Sequence, residues 1–342
     1  MKAGDKKEKV GVQDIAKALN ISASTVSRAL NDHPRISKAT KERVKQAAAR
    51  LGYNPTVPEL MNPEKTEMIA VLVPSLESNF YRAIIDGIDK YLTEHNFQLF
   101  VFNTHGNNTV AETFFKNYRK FGISGIVYVV SDRNIPATTF ANIKNDSLPF
   151  VTICEPEEEP GSSTVLPDIF AGVDKMVKYL KSVHINRISL ILENKNKPED
   201  FHLASVFNMV LEEERGSIKT LDIHYLNRDD DRFIKEVEQL LTTGENVPEA
   251  VVVKDVLAAT EVSKLAEKLG VKIPDDLLLI GIGTNYKVDG LTSALSMLKL
   301  PGYQMGYEAA ALLFDQLTHS GAEKQSAILP VSFILKGSAI RL

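Results

Sequence analysis

Up to residue 56 the apolar positions recur at helical spacing, and beyond residue 68 they gather into short continuous runs separated by amphipathic stretches. In the leading part Val12, Ile15, Ala16 and Leu19 mark one face of a first helix, which Asn20 and Ile21 end. Ser22 is placed to cap a second helix with Val26, Ala29 and Leu30 on one side. Asn31-Asp32-His33-Pro34 breaks the chain; Ser37 then caps a third helix with Val44, Ala47, Ala48 and Leu51 inward, and Gly52 stops it. Three short helices, the first two joined by a tight turn, predict an all-α, three-helix helix-turn-helix head.

The body alternates β-rich runs with helical patterns. The spacing predicts strands at Ile69–Val73, Leu99–Phe102, Gly125–Val130 and Phe150–Ile153, with helices at Phe80–Leu92, Val110–Phe121 and near Pro136–Ile143 between them. A second series follows: helix Ile169–Leu180, strand Ile188–Leu192, helix Phe201–Glu212, strand Leu221–Tyr225, helix Phe233–Leu241, strand Ala250–Val253, helix Val256–Leu269 and strand Leu277–Ile282. Such alternation means parallel sheets with right-handed crossovers. The break around Pro156–Pro167 divides the body into two similar α/β halves, and two such lobes leave a cleft facing the carboxyl ends of their strands. The expected domains are therefore residues 1–56, a linker over 57–67 that carries Pro58 and Pro63, and a two-lobed body over 68–342.

Charge sharpens the division. The net charge of the chain is −4, yet residues 1–56 hold twelve Lys and Arg against five Asp and Glu, so an excess of seven positive charges there leaves −11 on the rest. A basic head on an acidic body implies that one end meets a polyanion. The leading residues lack the apolar stretch of a secretory signal, no apolar run is long enough for a membrane span, and Cys154 is the only cysteine. The expectation is a cytoplasmic protein without disulfides.

A recognition helix must set short side chains against base edges while its neighbours hold phosphates. Residues 21–30 suit this: Val26 and Leu30 face inward, while Ala23, Ser24 and Arg28 fall on the opposite side. Arg28 can donate two hydrogen bonds to guanine, Ser24 can reach a base or a phosphate, and Ala23 offers apolar contact to a thymine methyl. Ser27, Ser37 and Thr40 are candidate phosphate contacts. A surface helix with small polar residues is the plain alternative for this segment taken alone.

The run Val12-Gln13-Asp14-Ile15-Ala16, then Ile21-Ser22-Ala23-Ser24-Thr25-Val26-Ser27-Arg28-Ala29-Leu30-Asn31, then Ile36-Ser37, Thr40, Arg43-Val44 and Leu51-Gly52-Tyr53-Asn54-Pro55 resembles the headpiece of the lactose/galactose-repressor (LacI-type) family. The Ser-x-x-Thr-Val-Ser-Arg core is its most specific element. The body is similar too, through Pro74-Ser75-Leu76, Asn79-Phe80-Tyr81, Gly87-Ile88, Gly125-Ile126, Pro274-Asp275-Asp276 and Met305-Gly306-Tyr307-Glu308-Ala309-Ala310. The resemblance implies two periplasmic-binding-protein-like lobes and a homodimer on operator DNA, with repression as the default. It also implies modulation by a small effector, a sugar or related metabolite. It adds Val12, Gln13, Ser22, Thr25, Asn31, Tyr53 and Leu60 to the DNA-contacting set. It places Ser75, Asn79, Phe80, Ser131, Leu203, Asp255 and Thr284 around the effector, and dimer contacts on Tyr81–Leu92 and a second-lobe surface.

Two departures stand out. The family's hinge helix carries an Ala-Arg-x-Leu pattern whose leucine wedges into the minor groove; here Glu59, Leu60, Met61 and Asn62 stand at those positions, bracketed by Pro58 and Pro63. Leu60 or Met61 becomes the candidate wedge by a register shift, and weaker bending is expected. In the second lobe, Leu203 stands where sugar binders place an arginine, Val206 replaces a glycine, and Thr284 replaces an aspartate. Losing both charged groups suits a less polar ligand, or a lobe that binds none. Asp255 reads equally as a helix N-cap or a ligand contact.

Other signals are weak. Gly281-Ile282-Gly283 lacks the third glycine of a dinucleotide loop and reads as a strand-end loop. The seven histidines lack metal spacing, and neither cofactor nor metal is expected. The acid run Glu157–Glu159 reads as a solvated loop, Cys154 as a small buried hydrophobe. No catalytic constellation stands out, so an enzyme is not expected. An exported solute-binding protein would share the body but has no use for residues 10–55.

Overall fold

The computed structural model describes residues 12–30, 36–51, 67–130, 143, 145–153, 162–214, 218, 220–243, 247–284, 294–319 and 323–341. The chain divides into two compact units, Met1–Thr66 and Glu67–Leu342.

The first unit contains α1 (Val12–Leu19), α2 (Ala23–Leu30) and α3 (Lys38–Leu51). Ile15, Ala16, Val26, Ala29, Val44, Ala47 and Ala48 form its core, with Leu19, Ile21, Leu30, Ile36 and Leu51 packed around it. The α1–α2 turn is made by Asn20 in the left-handed region at φ 52°, a conformation that Asn tolerates better than most residues. The Ile21 amide then returns to the Ala16 carbonyl at 3.1 Å. Ser22 and Ser37 start α2 and α3 in the same way: each hydroxyl accepts from the backbone N–H three residues on, at 3.2 Å.

The second unit is built on two six-stranded sheets. The first joins β1 (Met68–Val73), β2 (Gln98–Asn103), β3 (Ile123–Val129), β4 (Phe150–Ile153), β5 (Ser163–Asp168) and β11 (Ser326–Pro330) in the order β11-β5-β4-β3-β1-β2, every pairing parallel. The second joins β6 (Arg187–Leu192), β7 (Thr220–Tyr225), β8 (Ala250–Lys254), β9 (Leu278–Gly283), β10 (Ser296–Lys299) and β12 (Ser332–Ile334) in the order β12-β10-β9-β8-β6-β7. Its edge pair β10–β12 is antiparallel. Central strands such as β1 are buried along nearly their whole length, as helices on both faces require. Those helices are α4 (Asn79–Glu94), α5 (Asn108–Asn117), α6 (Ile169–Ser182), α7 (Pro198–Glu213), α8 (Phe233–Thr242), α9 (Val256–Lys268) and α10 (Gly302–Thr318).

The expectation of two sequential halves needs correction. Residues 163–168, read as part of a break, are the strand β5, and the chain crosses between lobes more than once. After β10 in the second sheet, α10 returns to pack in the first lobe through Met305, Ala309, Ala310 and Leu313, and β11 joins the first sheet before β12 rejoins the second. This return is fixed by glycine. A Cβ on Gly306 would lie 2.0 Å from the Ile84 carbonyl oxygen, and one on Gly87 2.0 Å from that of Tyr303, so α4 and α10 approach backbone to backbone. One face of α4, assigned by resemblance to dimer contacts, is therefore already covered.

Three smaller differences follow. The helix expected over Val110–Phe121 is α5 followed by a separate 3-10 turn at Tyr118–Phe121. Gly281-Ile282-Gly283 lies inside β9 rather than in a loop, with Gly281 where a Cβ would meet Leu295 at 3.0 Å. The helix expected near Pro136–Ile143 falls almost wholly outside the described residues, as do Cys154 and Glu157–Glu159.

Candidate functional site

In the first unit, Gln13 and Asp14 are exposed on α1, Ser22 and Ala23 are exposed at the start of α2, and Val26 and Ala29 are buried beneath. Thr25 is half-buried, its hydroxyl 2.8 Å from that of Ser22; Ser37 and Thr40 repeat the pair at the start of α3, also at 2.8 Å. The two helix starts thus present hydroxyls at first-turn backbone N–H groups, the chemistry that holds phosphate. Val12, Ser24, Ser27 and Arg28 sit on α1 or α2, but their side chains lie outside the described residues, as do Asn31, Tyr53 and Leu60 entirely.

In the second unit a cavity of about 330 Å³ opens between the lobes. Its walls come from the carboxyl ends of strands in both sheets and the amino ends of the following helices, which is where open α/β sheets bind ligands. The first lobe contributes Ser75, Asn79, Phe80 and Tyr81, and the second Leu203, Asp255 and Thr284. Of the residues expected around an effector, the structure brings all but Ser131 to this one cavity; Ser131 lies outside the described residues.

Several of those expected groups are already engaged. Asn79 accepts from Arg82 at 2.5 Å, Ser75 accepts from the Glu77 amide at 3.1 Å, and Asp255 accepts from the Leu257 amide at 3.0 Å. Asp255 is thus both an N-cap of α9 and part of the wall, held at φ 82°, a strained angle for a residue with a Cβ. Thr284 differs: it is 6% exposed, and its hydroxyl has no hydrogen-bond partner.

The cavity carries charge beyond Asp255. At the amino end of α7, Pro198 opens the helix and Glu199 and Asp200 occupy its first turn, where the helix dipole favours acids. Asp200 is fully buried; one oxygen accepts from the Glu193 and Asn194 amides at 3.0 and 2.8 Å, and the other receives the Lys254 ammonium from the end of β8. Lys254 also lies 3.5 Å from Glu199, whose Oε1 accepts from the Tyr81 hydroxyl at 3.1 Å, across the cleft. Burial works to raise the Glu199 pKa, but the Lys254 charge, a backbone amide, Lys197 and the Tyr81 hydroxyl outweigh it and hold the carboxyl below its ordinary range. Burial likewise works to lower Lys254, yet Glu199 and Asp200 raise it above the ordinary lysine value. Both are charged at neutral pH. Glu199, Asp200 and Lys254 were missed in the sequence because no fixed spacing joins them; a Pro-Glu-Asp helix start was the only local sign.

Two family descriptions match the chain: "Bacterial regulatory proteins, lacI family" over residues 11–56 and "Periplasmic binding protein-like domain" over residues 177–339. The chain is 27% identical to the HTH-type transcriptional repressor CytR of Escherichia coli K12 over 343 residues, covering 99% of this chain and 98% of that one. Over nearly its whole length the chain is thus similar to a repressor whose head and body are of the kinds these two descriptions name. Catabolite control protein A of Staphylococcus epidermidis is another relative at nearly full length, 24% identical over 96% of this chain and 99% of its own. Among solved structures, the Lac repressor dimer bound to operator and the anti-inducer ONPF aligns with a TM-score of 0.76 at 18% identity, over 98% of this chain and 100% of that one. A CelR–cellobiose complex aligns at 0.66 and 21% identity, over 96% and 100%. These likenesses show the fold: a helix-turn-helix head and a two-lobed α/β body.

Proposed function

We propose that this regulator is a repressor that holds operator DNA as a homodimer and is modulated by a small molecule in the cleft between its lobes. The observation that carries the reading is the head. Within the residues matched by the LacI family, a serine-capped α2 stands on a buried Val26 and Ala29 and keeps Ala23 exposed. In this reading Arg28 reads guanine, Ser24 a base or phosphate and Ala23 a thymine methyl, while Ser22, Thr25, Ser27, Ser37 and Thr40 hold the backbone. Val12, Gln13, Asn31 and Tyr53 complete the interface, and Leu60 is the hinge wedge. Residues 1–56 are the DNA-binding domain, 57–67 the hinge and 68–342 the effector and dimerisation domain. Ser75, Asn79, Phe80, Ser131, Leu203, Asp255 and Thr284 surround the effector, the exposed face of α4 serves the dimer, and the protein works in the cytoplasm as a regulator rather than an enzyme.

The physical logic is linkage. A dimer makes the second half-site contact intramolecular, and a ligand that prefers one lobe arrangement shifts DNA affinity by its differential affinity for the two states. Selection of duplexes from a random pool by the full-length protein tests this. A two-fold symmetric motif should be enriched. Recovery of unrelated sequences, with no shared half-site, would exclude a sequence-specific regulator.

A further inference from the structure

The cleft itself says what kind of molecule it is built to take. Among the described residues lining it, each lysine and arginine already has an acid: Lys197 meets Glu193 at 2.5 Å, Arg228 meets Asp229 at 3.3 Å, and Lys254 is taken by Asp200. A carboxylate or phosphate ligand would have to displace one of these pairs. The opposite charge is in surplus. Glu199, Asp200 and Lys254 place two carboxylates against one ammonium in a desolvated corner, leaving one negative charge without a counterpart. The Tyr81 hydroxyl satisfies Glu199 Oε1, but Glu199 Oε2 is buried with no partner. A neutral donor would complete its hydrogen bonding and leave the charge; a cation completes both.

The second unpartnered atom is the Thr284 hydroxyl, on a side chain more than nine-tenths buried in the same wall. The same cavity is also lined by the apolar side chains of Phe80, Leu203, Val256, Leu257, Ile282 and Leu300. A cavity of about 330 Å³ suits a compact molecule.

We propose that the cleft's ligand is a small organic cation, a protonated amine or amidine on a compact and largely apolar frame, whose N–H groups sit on Glu199 Oε2 while a second polar group reaches the Thr284 hydroxyl. The inference rests on the reading that the cleft takes a small effector, and it names that effector's class. Leu203 and Thr284 stand where sugar binders of this family carry arginine and aspartate, so the grip for a polyhydroxylated ligand is replaced by one carboxylate and one hydroxyl.

The test uses full-length protein, thermal unfolding and calorimetric titration. The probes are three amines on different frames (cyclohexylamine, benzylamine, glucosamine), each beside its neutral counterpart (cyclohexanol, benzyl alcohol, glucose), with benzoate as the anion. At least one amine should raise the unfolding temperature and bind roughly tenfold or more tightly than its counterpart, with benzoate inert. Glu199→Gln should erase that preference. The ranking on wild type needs no variant, so misfolding of Glu199→Gln would not rescue the idea. If a neutral member binds as well as its amine, or benzoate binds, the cation is wrong while the effector reading stands. If no probe shifts unfolding or gives heat, both the cation and the cleft as an effector site are rejected.

Discussion

The Tyr81 hydroxyl donates to Glu199 Oε1 at 3.1 Å, joining the amino end of α4 in the first lobe to the amino end of α7 in the second. These residues are far apart in the chain, and no backbone strand or helix links them at this point. The hydrogen bond therefore ties the two lobes across the cleft. Tyr81→Phe removes the donor and little else, and should cost about 1–3 kcal/mol, the range for stranding a buried or charged acceptor. Urea denaturation checks it; an unchanged midpoint would show that Glu199 finds another donor or water.

Lys254 is the keystone of the buried charges. Replacing it by Met leaves Asp200 and Glu199 facing each other without a cation, and breaking such a pair costs about 3–5 kcal/mol. Asp200 still holds two backbone amides, so the double variant Lys254→Met/Asp200→Asn should recover a large part of the loss. Equilibrium unfolding of the single and double variants gives the coupling directly.

The acid limb of stability carries the same signature. Because the folded Glu199 pKa is depressed below its ordinary 4.5, its contribution is complete above that value and is lost as pH falls through the folded one. Lys254, raised above 10.5, contributes below that value and loses the contribution as pH rises through its folded pKa. Glu199→Gln should therefore flatten the decline of unfolding free energy below about pH 4.5. A decline as steep as that of wild type would assign the acid sensitivity elsewhere.

The helix pair α4–α10 makes a purely steric prediction. A Cβ at Gly306 would sit 2.0 Å from a backbone oxygen of Ile84, and backbone cannot swing away like a side-chain end. Gly306→Ala should destabilise the body by about 1–3 kcal/mol, the usual cost of overpacking, or more if the helices cannot part. Thermal unfolding decides it; a neutral result would mean the two helices separate freely.

Much of this architecture is legible in the chain because periodicity reports burial. Strand β1 reads as one apolar run because helices cover both faces, and α1–α3 announce themselves through apolar spacing and the capping Ser22 and Ser37. The β5 segment hides because Pro167 mimics a loop, and β10 and β12 because they span four and three residues. The cleft was half visible. Its expected lining converges because strand ends are local features, whereas the Lys254–Asp200 pair joins residues 54 positions apart, a relationship set by sheet order. Leu203 and Thr284 carry no charge, and the charged groups of this corner, Glu199 and Asp200, lie at the start of the helix that carries Leu203, where no motif marks them.

The reading of the head is tested by the affinity of the full-length protein, wild type and Arg28→Ala, for its selected duplex and for a scrambled one across a salt series. Wild type should prefer the selected duplex by about a thousandfold or more, with log affinity falling linearly in log salt. Arg28→Ala should lose about 1–3 kcal/mol on that duplex and relax discrimination at one base pair of each half-site. Equal affinity for both duplexes, or an Arg28→Ala variant that reads its site as wild type does, would contradict it.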